Sequence, residues 1–412
     1  MPLCLLVITT LSTRLYTGQG DAFIKRFSGP VGQYPVRSLS ASLSRTAIAI
    51  AALVVAVSAT AGVGIMIGSF RASVADWLEQ SLEADIYLRD QHAISNPLSS
   101  DVIDMLTTLD GINGVRKARF RETDIEGLPS NLMALDLSGV AVGGFPLIST
   151  SIPAKELWQA WQQHPGVLVS EPLARQHAKQ VGDIINILTP TGSEPLKITA
   201  IFTDYNAGSG LVVLPMRQYQ SRWQDDAINT IGVHLDPALT NTTKQQTLTS
   251  LRQFAAQHGL IFRSNTDIRD LSLTIFDRTF AITHVLRLLT VGVAFVGILS
   301  ALLALMLERR REFAVLRSLG LTPQELRQLM FLQTGLMGVI AGLLALPLGI
   351  MMSSILINVI NLRSFGWSMQ FRLPPDVLIE SMILAAVAAL LAGCYPAWKL
   401  SRLSPAEALR SI

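Results

Sequence analysis

The chain has 412 residues, of which half are apolar and only 15% are charged. A soluble protein of this length usually carries more charge, so the apolar excess requires either lipid or a very large core. The formal net charge is +3, which gives no reason to expect a nucleic-acid partner. Cys4 and Cys394 lie far apart in apolar stretches, which excludes a disulfide framework and a cysteine-based zinc site.

Four apolar runs are long enough to cross a membrane, which takes about 20 apolar residues. We predict spans at 46–70, 286–307, 329–360 and 381–398, with Pro347 inside the third. A buried core helix would account for one such run. Four runs framed by charged residues instead predict an integral membrane protein.

Positive residues in short loops predict the orientation, since Lys and Arg favour the cytoplasmic side. They concentrate in the leader 1–45, in the loop 308–328 and in the tail 399–412. We therefore expect both termini in the cytoplasm. The large insert 71–285 and the short loop 361–380 then lie on the opposite, periplasmic side.

The leader 1–45 allows two interpretations. Residues 3–11 are apolar but too short to span, and they make a poor signal peptide because no Lys or Arg precedes them. The leader is either a loose cytoplasmic or interfacial segment, or the remnant of an earlier span in a longer protein. Within it, Leu39 and Leu43 share one helical face while Arg37 and Arg45 point away. This pattern predicts a short amphipathic elbow helix on the inner membrane surface.

The insert 71–285 alternates helix and strand patterns, which predicts an α+β domain. It opens with a strand–helix–strand unit and closes with another, and the two units are expected to pair into one sheet backed by helices. The opening unit is predicted at 84–89, 101–109 and 115–121, and the closing unit at 229–236, 242–258 and 261–264. A strand-rich lobe, about 122–227, is predicted to be inserted between them, with Gly182 and Gly192 in its turns.

Catalytic signatures do not occur in the sequence. The six histidines are scattered without an HExxH pattern, and no phosphate-binding GxxxxGK[ST] loop or GxSxG elbow occurs. We expect no enzymatic activity, metal or cofactor. The apolar cores of the spans contain no acidic or basic residue, which disfavours an ion-coupled secondary carrier.

The segment ERRREFAVLRSLGLTPQELRQL, residues 308–329, resembles the cytoplasmic loop of the FtsX-like or MacB-type ABC transporter permeases. The tail YPAWKLSRLSPAEALRSI and the stretch VLVSEPLARQHAKQVGDIINI, residues 167–187, also resemble that family, as does the order of one span, a large domain and three spans. The resemblance implies that the loop is a coupling helix that docks on a separate ATPase subunit. The residues at the matching positions are Arg311, Glu312, Val315, Leu316, Arg317, Leu319 and Gly320. Phe313 joins the candidate docking residues because it lies on the apolar face of the predicted helix, with Leu316 and Leu319.

A short helix of mixed charge with apolar side chains suits docking into a partner groove. The alternative is that Arg309, Arg310 and Arg311 only anchor the span at the lipid headgroups. Both roles are compatible, because the anchoring and docking residues lie on different turns.

The sequence thus predicts the permease subunit of an ABC transporter in a bacterial inner membrane, with ATP hydrolysed by a separate cytoplasmic subunit. The expected cargo is a lipoprotein, lipid, peptide or hydrophobic compound, and the expected partners are that ATPase, a second permease copy or half, membrane lipid and a periplasmic protein or lipoprotein. Two alternatives remain open: a non-transporting regulator of a cell-wall hydrolase, as in the cell-division members of the family, and a secondary carrier.

Overall fold

The computed structural model describes residues 43–91, 96–136, 144–163, 166–206, 210–308, 315, 317–318 and 320–401. The chain forms two compact units. The sheet unit consists of Phe70–Arg278 and Ile357–Gln370. The helical unit consists of Thr279–Leu356 together with the described residues before 70 and after 370. The predicted elbow helix at 35–45 lies almost wholly outside the described residues.

The helices are α1 (Leu43–Ser81), α2 (Ser100–Thr107), α3 (Ala154–Gln163), α4 (Glu171–Gln176), α5 (Met216–Trp223), α6 (Asn241–Gln257), α7 (Asn265–Glu308), α8 (Pro323–Ile355), α9 (Leu362–Phe365) and α10 (Pro375–Ser401). The strands are β1 (Ile86–Asp90), β2 (Ile112–Ile125), β3 (Leu128–Leu135), β4 (Leu147–Thr150), β5 (Val167–Ser170), β6 (Ile184–Thr189), β7 (Gly192–Phe202), β8 (Leu211–Pro215), β9 (Thr230–Leu235) and β10 (Leu260–Ser264). A π-helical segment, Leu356–Asn361, joins α8 to α9.

Four helices in the described part of the chain are long and apolar enough to cross a membrane. They are α1, α7, α8 continued through α9, and α10. This confirms the prediction of four spans. The helices α1 and α7 are much longer than the apolar runs that predicted them, because each continues as helix into the sheet unit.

Small residues bring the helices of the helical unit close together, as is common where lipid offers no hydrophobic driving force. A Cβ added at Gly338 of α8 would lie 2.7 Å from the Cβ of Ala389 and 3.0 Å from the Ala385 carbonyl oxygen of α10. Gly349 of α8 lies similarly close to Ala61 of α1. Glycine is therefore needed for backbone-to-backbone approach at these two positions.

The sheet unit is built on one ten-stranded sheet. The opening unit β1–α2–β2 and the closing unit β9–α6–β10 interleave, so that four strands lie in the order β10–β1–β9–β2, each antiparallel to its neighbour. This is the split βαβ arrangement, and it confirms that the two predicted units share a sheet. Ile86 and Leu88 of β1 pack with Ile231 and Val233 of β9 and with Leu251 of α6 in the core on one face.

The inserted strands extend the same sheet instead of forming a separate one. Strand β3 pairs antiparallel with β2 and parallel with β8, and the order continues through β5 and β7 to β4. The inserted lobe still has its own buried cores, one of which includes Tyr219 and Trp223 of α5. Gly182 and Gly192 adopt φ values of +98° and +128°, which fits their predicted places in turns.

We predict that Gly338→Ala lowers the stability of the folded chain by about 1–3 kcal/mol, the usual cost of overpacking. The matched control is Gly335→Ala, one turn earlier on α8, where an added Cβ would meet only the tip of Leu390 at 3.4 Å. Both variants make the same change in helix propensity. Thermal unfolding of the detergent-purified chain should therefore show a lower Tm for Gly338→Ala alone, and equal Tm values would refute the close-packing argument.

Candidate functional site

The predicted coupling segment is described only in part. Val315, Arg317 and Gly320 lie within the described residues, whereas Arg311, Glu312, Phe313, Leu316 and Leu319 lie outside them. Val315 is exposed, and the backbone N–H of Gly320 donates to the Arg317 carbonyl at 3.1 Å. Gly320 adopts a φ of +103°, a conformation that glycine tolerates best. The glycine of the motif thus ends a local turn.

Helix α8 starts directly after this turn with a reciprocal cap. Thr322 Oγ1 accepts from the Glu325 backbone N–H at 3.3 Å, and the Thr322 backbone N–H donates to Glu325 Oε2 at 2.8 Å. Pro323 occupies the first turn, where its missing N–H costs nothing. The capping box therefore fixes the start of α8 two residues after Gly320.

A cavity in the described part of the sheet unit has a volume of about 1280 Å³. Sites for drug-sized ligands usually measure about 300–1,000 Å³, so this one is large. Its wall is one face of the sheet, opposite the face that packs on α2 and α6. The strand register aligns lining residues side by side across β10, β1, β9 and β2. One such row is Arg263, Tyr87, Gly232 and Arg116, and the next is Ile261, Arg89, Thr230 and Ala118.

The cavity is closed on another side by the ends of two helices. Trp77 and Ser81 of α1 and Ile268, Leu271 and Ile275 of α7 line it. The α7 residues follow the spacing of one helical face. Leu271 and Ile275 are 47% and 55% exposed, so this face presents unburied apolar surface. An apolar helical stripe beside a cavity favours an apolar ligand.

One carboxyl group lies in this wall with little to support its charge. Asp204, which follows β7, is 5% exposed and accepts one hydrogen bond, from the backbone N–H of Asn206 at 2.9 Å. In the part of the chain that the structure describes, no basic side chain pairs with it. Burial therefore raises the pKa of Asp204 to about 6.

The segment 357–370, which comprises the last residues of the third span helix and the start of the loop after it, is bound to the inserted lobe. The Glu171 carboxylate is buried and accepts hydrogen bonds from the backbone N–H and the hydroxyl of Ser368, both at 2.8 Å. The Arg175 guanidinium forms an ion pair with the same Glu171 carboxylate at 2.8 Å. The Tyr205 hydroxyl donates to the Ser368 carbonyl at 2.8 Å. These bonds fix the short loop to the lobe.

Aromatic rings surround the same junction. Trp367 stacks on Phe365 and on Phe70, and it meets Tyr205 edge to face. Trp77 donates its indole N–H to the Thr203 carbonyl at 3.1 Å and packs edge to face on Tyr205. The sequence reasoning missed this junction. The aromatic residues Phe365 and Trp367 in this short loop were the available signal.

These observations define a class of protein. The chain has four candidate membrane spans, a mixed-sheet domain inserted between the first and the second, and a basic loop between the second and the third. A cavity large enough for a bulky ligand lies in the inserted domain. This is the organisation of a membrane permease with a periplasmic-type domain.

Comparison with known families agrees with that class. Residues 46–251 match the MacB-like periplasmic core domain, and residues 285–405 match the FtsX-like permease C-terminal domain. The chain belongs to this family of ABC transporter permeases.

Several relatives support the assignment. An ABC transporter permease of Mycobacterium tuberculosis is 36% identical over 391 residues, which cover 93% of this chain and 46% of the relative. The lipoprotein-releasing system transmembrane protein LolE of Haemophilus influenzae is 25% identical over 62% of this chain and 66% of its own length. The macrolide export protein MacB of Escherichia coli is 23% identical over 59% of this chain and 38% of its own length. The chain thus spans about half the length of its mycobacterial relative.

Among solved structures, the periplasmic region of MacB from Actinobacillus actinomycetemcomitans is similar to 45% of this chain and 91% of its own, with a TM-score of 0.32 and 12% identity. The extracellular domain of the transporter YknZ from Gram-positive bacteria is similar to 43% of this chain and 98% of its own, with a TM-score of 0.31 and 12% identity.

We predict that Asp204→Asn stabilises the chain at pH 8 by about 1–3 kcal/mol but much less at pH 4.5. The folded pKa of about 6 lies above the ordinary value of 3.8, so the folded state holds the proton more tightly than the unfolded state. The resulting stabilisation is complete below pH 3.8 and is lost as the pH rises through 6. The amide of asparagine carries no charge to desolvate, so the variant avoids this loss.

Thermal unfolding at the two pH values measures this effect. Asp236→Asn is the matched control, because exposed Asp236 accepts the same kind of bond, from the Ala238 backbone N–H at 2.9 Å. A pH-independent difference between Asp204→Asn and the unsubstituted chain would contradict the prediction.

We predict that Ser368→Ala weakens the attachment of the segment 357–370, because it removes a hydrogen bond to a buried carboxylate worth about 1.5–3 kcal/mol. Faster cleavage of this segment in limited proteolysis of the purified chain is the expected result. Ser364→Ala, an exposed serine of the same segment, should be cleaved as the unsubstituted chain is. Equal cleavage of both variants would show that the bond from the Ser368 hydroxyl to Glu171 does not hold the segment.

Proposed function

We propose that the chain transmits ATP-driven motion of a separate cytoplasmic ATPase subunit to the sheet unit, for export or extraction of a lipoprotein, lipid, peptide or hydrophobic compound. The helix α7 is the observation that carries this proposal. It is continuous from Asn265, beside the cavity, to Glu308, directly before the coupling motif. A continuous helix moves as a rod, so displacement at one end reaches the other.

The start of α7 is attached to the end of α1, which supports concerted movement of the two. The Arg71 guanidinium pairs with the Asp277 carboxylate at 2.8 and 3.1 Å. The Asn265 side chain donates to the Leu82 carbonyl at 2.6 Å. Phe70 meets Phe276 edge to face. The two helices therefore enter the sheet unit as a bonded pair.

A second permease copy or half is part of the proposal. The apolar part of α7 carries strongly exposed side chains, with Leu288 at 72% and Val293 at 75%. Lipid or a partner helix has to cover them. A second permease half as the partner is supported by the mycobacterial relative, because this chain matches 46% of that protein. We place the assembly in the bacterial inner membrane, with both termini in the cytoplasm, on the positive residues of the short loops.

The cavity favours a transporter over a pure regulator of a wall hydrolase, because a regulator needs a docking surface and no ligand space of this size. The names of two relatives point the same way, since LolE belongs to a lipoprotein-releasing system and MacB to macrolide export. The scattered cavity arginines and the apolar stripe fit an amphiphilic or hydrophobic cargo.

We expect that replacing Glu312 and Arg317 together by alanine lowers co-purification of the co-expressed ATPase subunit by about tenfold or more, as loss of a hot spot does. The double variant should still insert into the membrane fraction, because neither position belongs to a predicted span. Arg327→Ala is the matched control: Arg327 is an exposed arginine on the first turns of α8, outside the motif.

Undiminished association of the Glu312 and Arg317 variant would refute the docking role. Transport that continues in membranes lacking any ATPase partner would instead support a secondary carrier, and it would overturn the proposed function as a whole.

A further inference from the structure

The cavity wall has two chemically different ends. Arg263 of β10, Arg89 of β1 and Arg116 at the start of β2 lie at the end of the wall formed by β10, β1 and β9. At the other end, β2 and β3 contribute the apolar pairs Phe120 with Met133 and Leu135 with Ala118. Arg119 and Arg121 of β2 also line that end, and both lie within 4 Å of the Asp225 carboxylate, which balances part of their charge. A wall with arginines at one end and apolar pairs at the other matches the two parts of an amphiphile.

Two of the arginines at the basic end make no direct ion pair in the described part of the chain, although Arg263 interacts electrostatically with Asp267. Arg116 pairs with Glu83, so its charge is balanced within the domain. Arg89 and Arg263 are exposed, and neither makes an ion pair within the described ranges of the chain. Their wall therefore keeps an excess of positive charge.

The register places these two arginines near each other. Arg89 lies opposite Ile261, and Arg263 lies opposite Tyr87, so the two arginines are diagonal neighbours on one face of the antiparallel pair β1–β10. Such diagonal positions are about 7–8 Å apart. Two guanidinium groups carried at this backbone spacing are within reach of one phosphate, which each can bind through two N–H groups.

The apolar component of a ligand has surface to bind in the same cavity. The α7 stripe of Ile268, Leu271 and Ile275 faces it, with two of the three side chains about half exposed. Covering this stripe with an acyl chain removes apolar area from water and is favourable at about 25 cal/mol per Å².

We propose that the cavity binds a phospholipid with an anionic headgroup, with its phosphate on Arg89 and Arg263 and an acyl chain along the α7 stripe and the β2–β3 wall. The inference names the substrate class of the proposed function and rests on it for the role of this lipid in transport. Binding itself requires no ATPase.

The test uses the full chain, purified in detergent, and phosphatidylglycerol with a photoreactive acyl chain. Labelling followed by peptide mass spectrometry should place crosslinks in peptides covering 118–135 and 268–275. In the Arg89→Gln, Arg263→Gln double variant, labelling of these peptides should fall about tenfold or more, because two charged contacts to phosphate are lost. Labelling of the span peptides provides an internal reference and should not change.

Two controls make the result specific. Arg217→Gln removes an exposed arginine of α5 that does not line the cavity, and it should label as the unsubstituted chain does. Photoreactive phosphatidylcholine with the same acyl chains carries the same phosphate together with a quaternary ammonium, which the positive charge of the wall repels, so it should label the cavity peptides more weakly than phosphatidylglycerol does. Inorganic phosphate in large excess should leave the labelling by phosphatidylglycerol in place.

Equal labelling by the two lipids, unchanged labelling of the double variant, or full competition by inorganic phosphate would each overturn the inference. The outcome is independent of the docking test. If the ATPase dissociates from the Glu312 and Arg317 variant while lipid labelling fails in the unsubstituted chain, only the lipid site is wrong. If labelling succeeds and association proves independent of the motif, the lipid site stands and the coupling role falls.

Discussion

The pairing of β1 with β10 is the constraint on which the sheet unit depends. The domain is inserted between two helices, so its first and last residues have to lie side by side. The antiparallel pair β1–β10 achieves this, from Ile86 opposite Ser264 to Asp90 opposite Leu260. The backbone N–H of Asn265 then donates to the Asp85 carbonyl at 2.9 Å, which fixes the start of α7 next to the end of α1.

The cavity is a consequence of this pairing. Side chains alternate along a strand, so β1 places Ile86 and Leu88 in the core with α6 and Tyr87 and Arg89 on the opposite face. The ends of α1 and α7 line that opposite face without filling it. Gly232 contributes no side chain there, and a Cβ at this position would lie 3.0 Å from the Cβ of Ala84. The cavity wall therefore takes its apolar and basic character from the side chains on the sheet face that points away from the core with α6.

The sequence predicted the features that depend on local patterns. Hydropathy alone placed four spans, and alternation placed β1, β2, β9 and β10 in two strand–helix–strand units that share a sheet. The parallel pairing of β3 with β8 could not be predicted, because it joins residues about 80 positions apart and no periodic pattern in the sequence indicates it. The contact between Glu171 and Ser368 is separated by 197 positions and depends on the whole fold.

The candidate site divides in the same way. The coupling motif, residues 311–320, could be recognised from the sequence because its residues are contiguous along the chain. Its docking role stays a prediction. The proximity of Arg89 and Arg263 could not be predicted from the sequence. Arg89 and Arg263 become neighbours only when the register sets Arg89 opposite Ile261. A shift of one residue would send one of them to the core face.

Helix α7 carries two different stripes beside the cavity. Its cavity-facing stripe is apolar at Ile268, Leu271 and Ile275, whereas the adjacent stripe carries Asp270 and Thr274. Successive residues on a helix are about 100° apart, so a turn of the helix by that angle would exchange one stripe for the other. The ion pair of Arg71 with Asp277 and the ring contact of Phe70 with Phe276 oppose such a turn. These contacts with α1 therefore keep the apolar side of α7 toward the cavity.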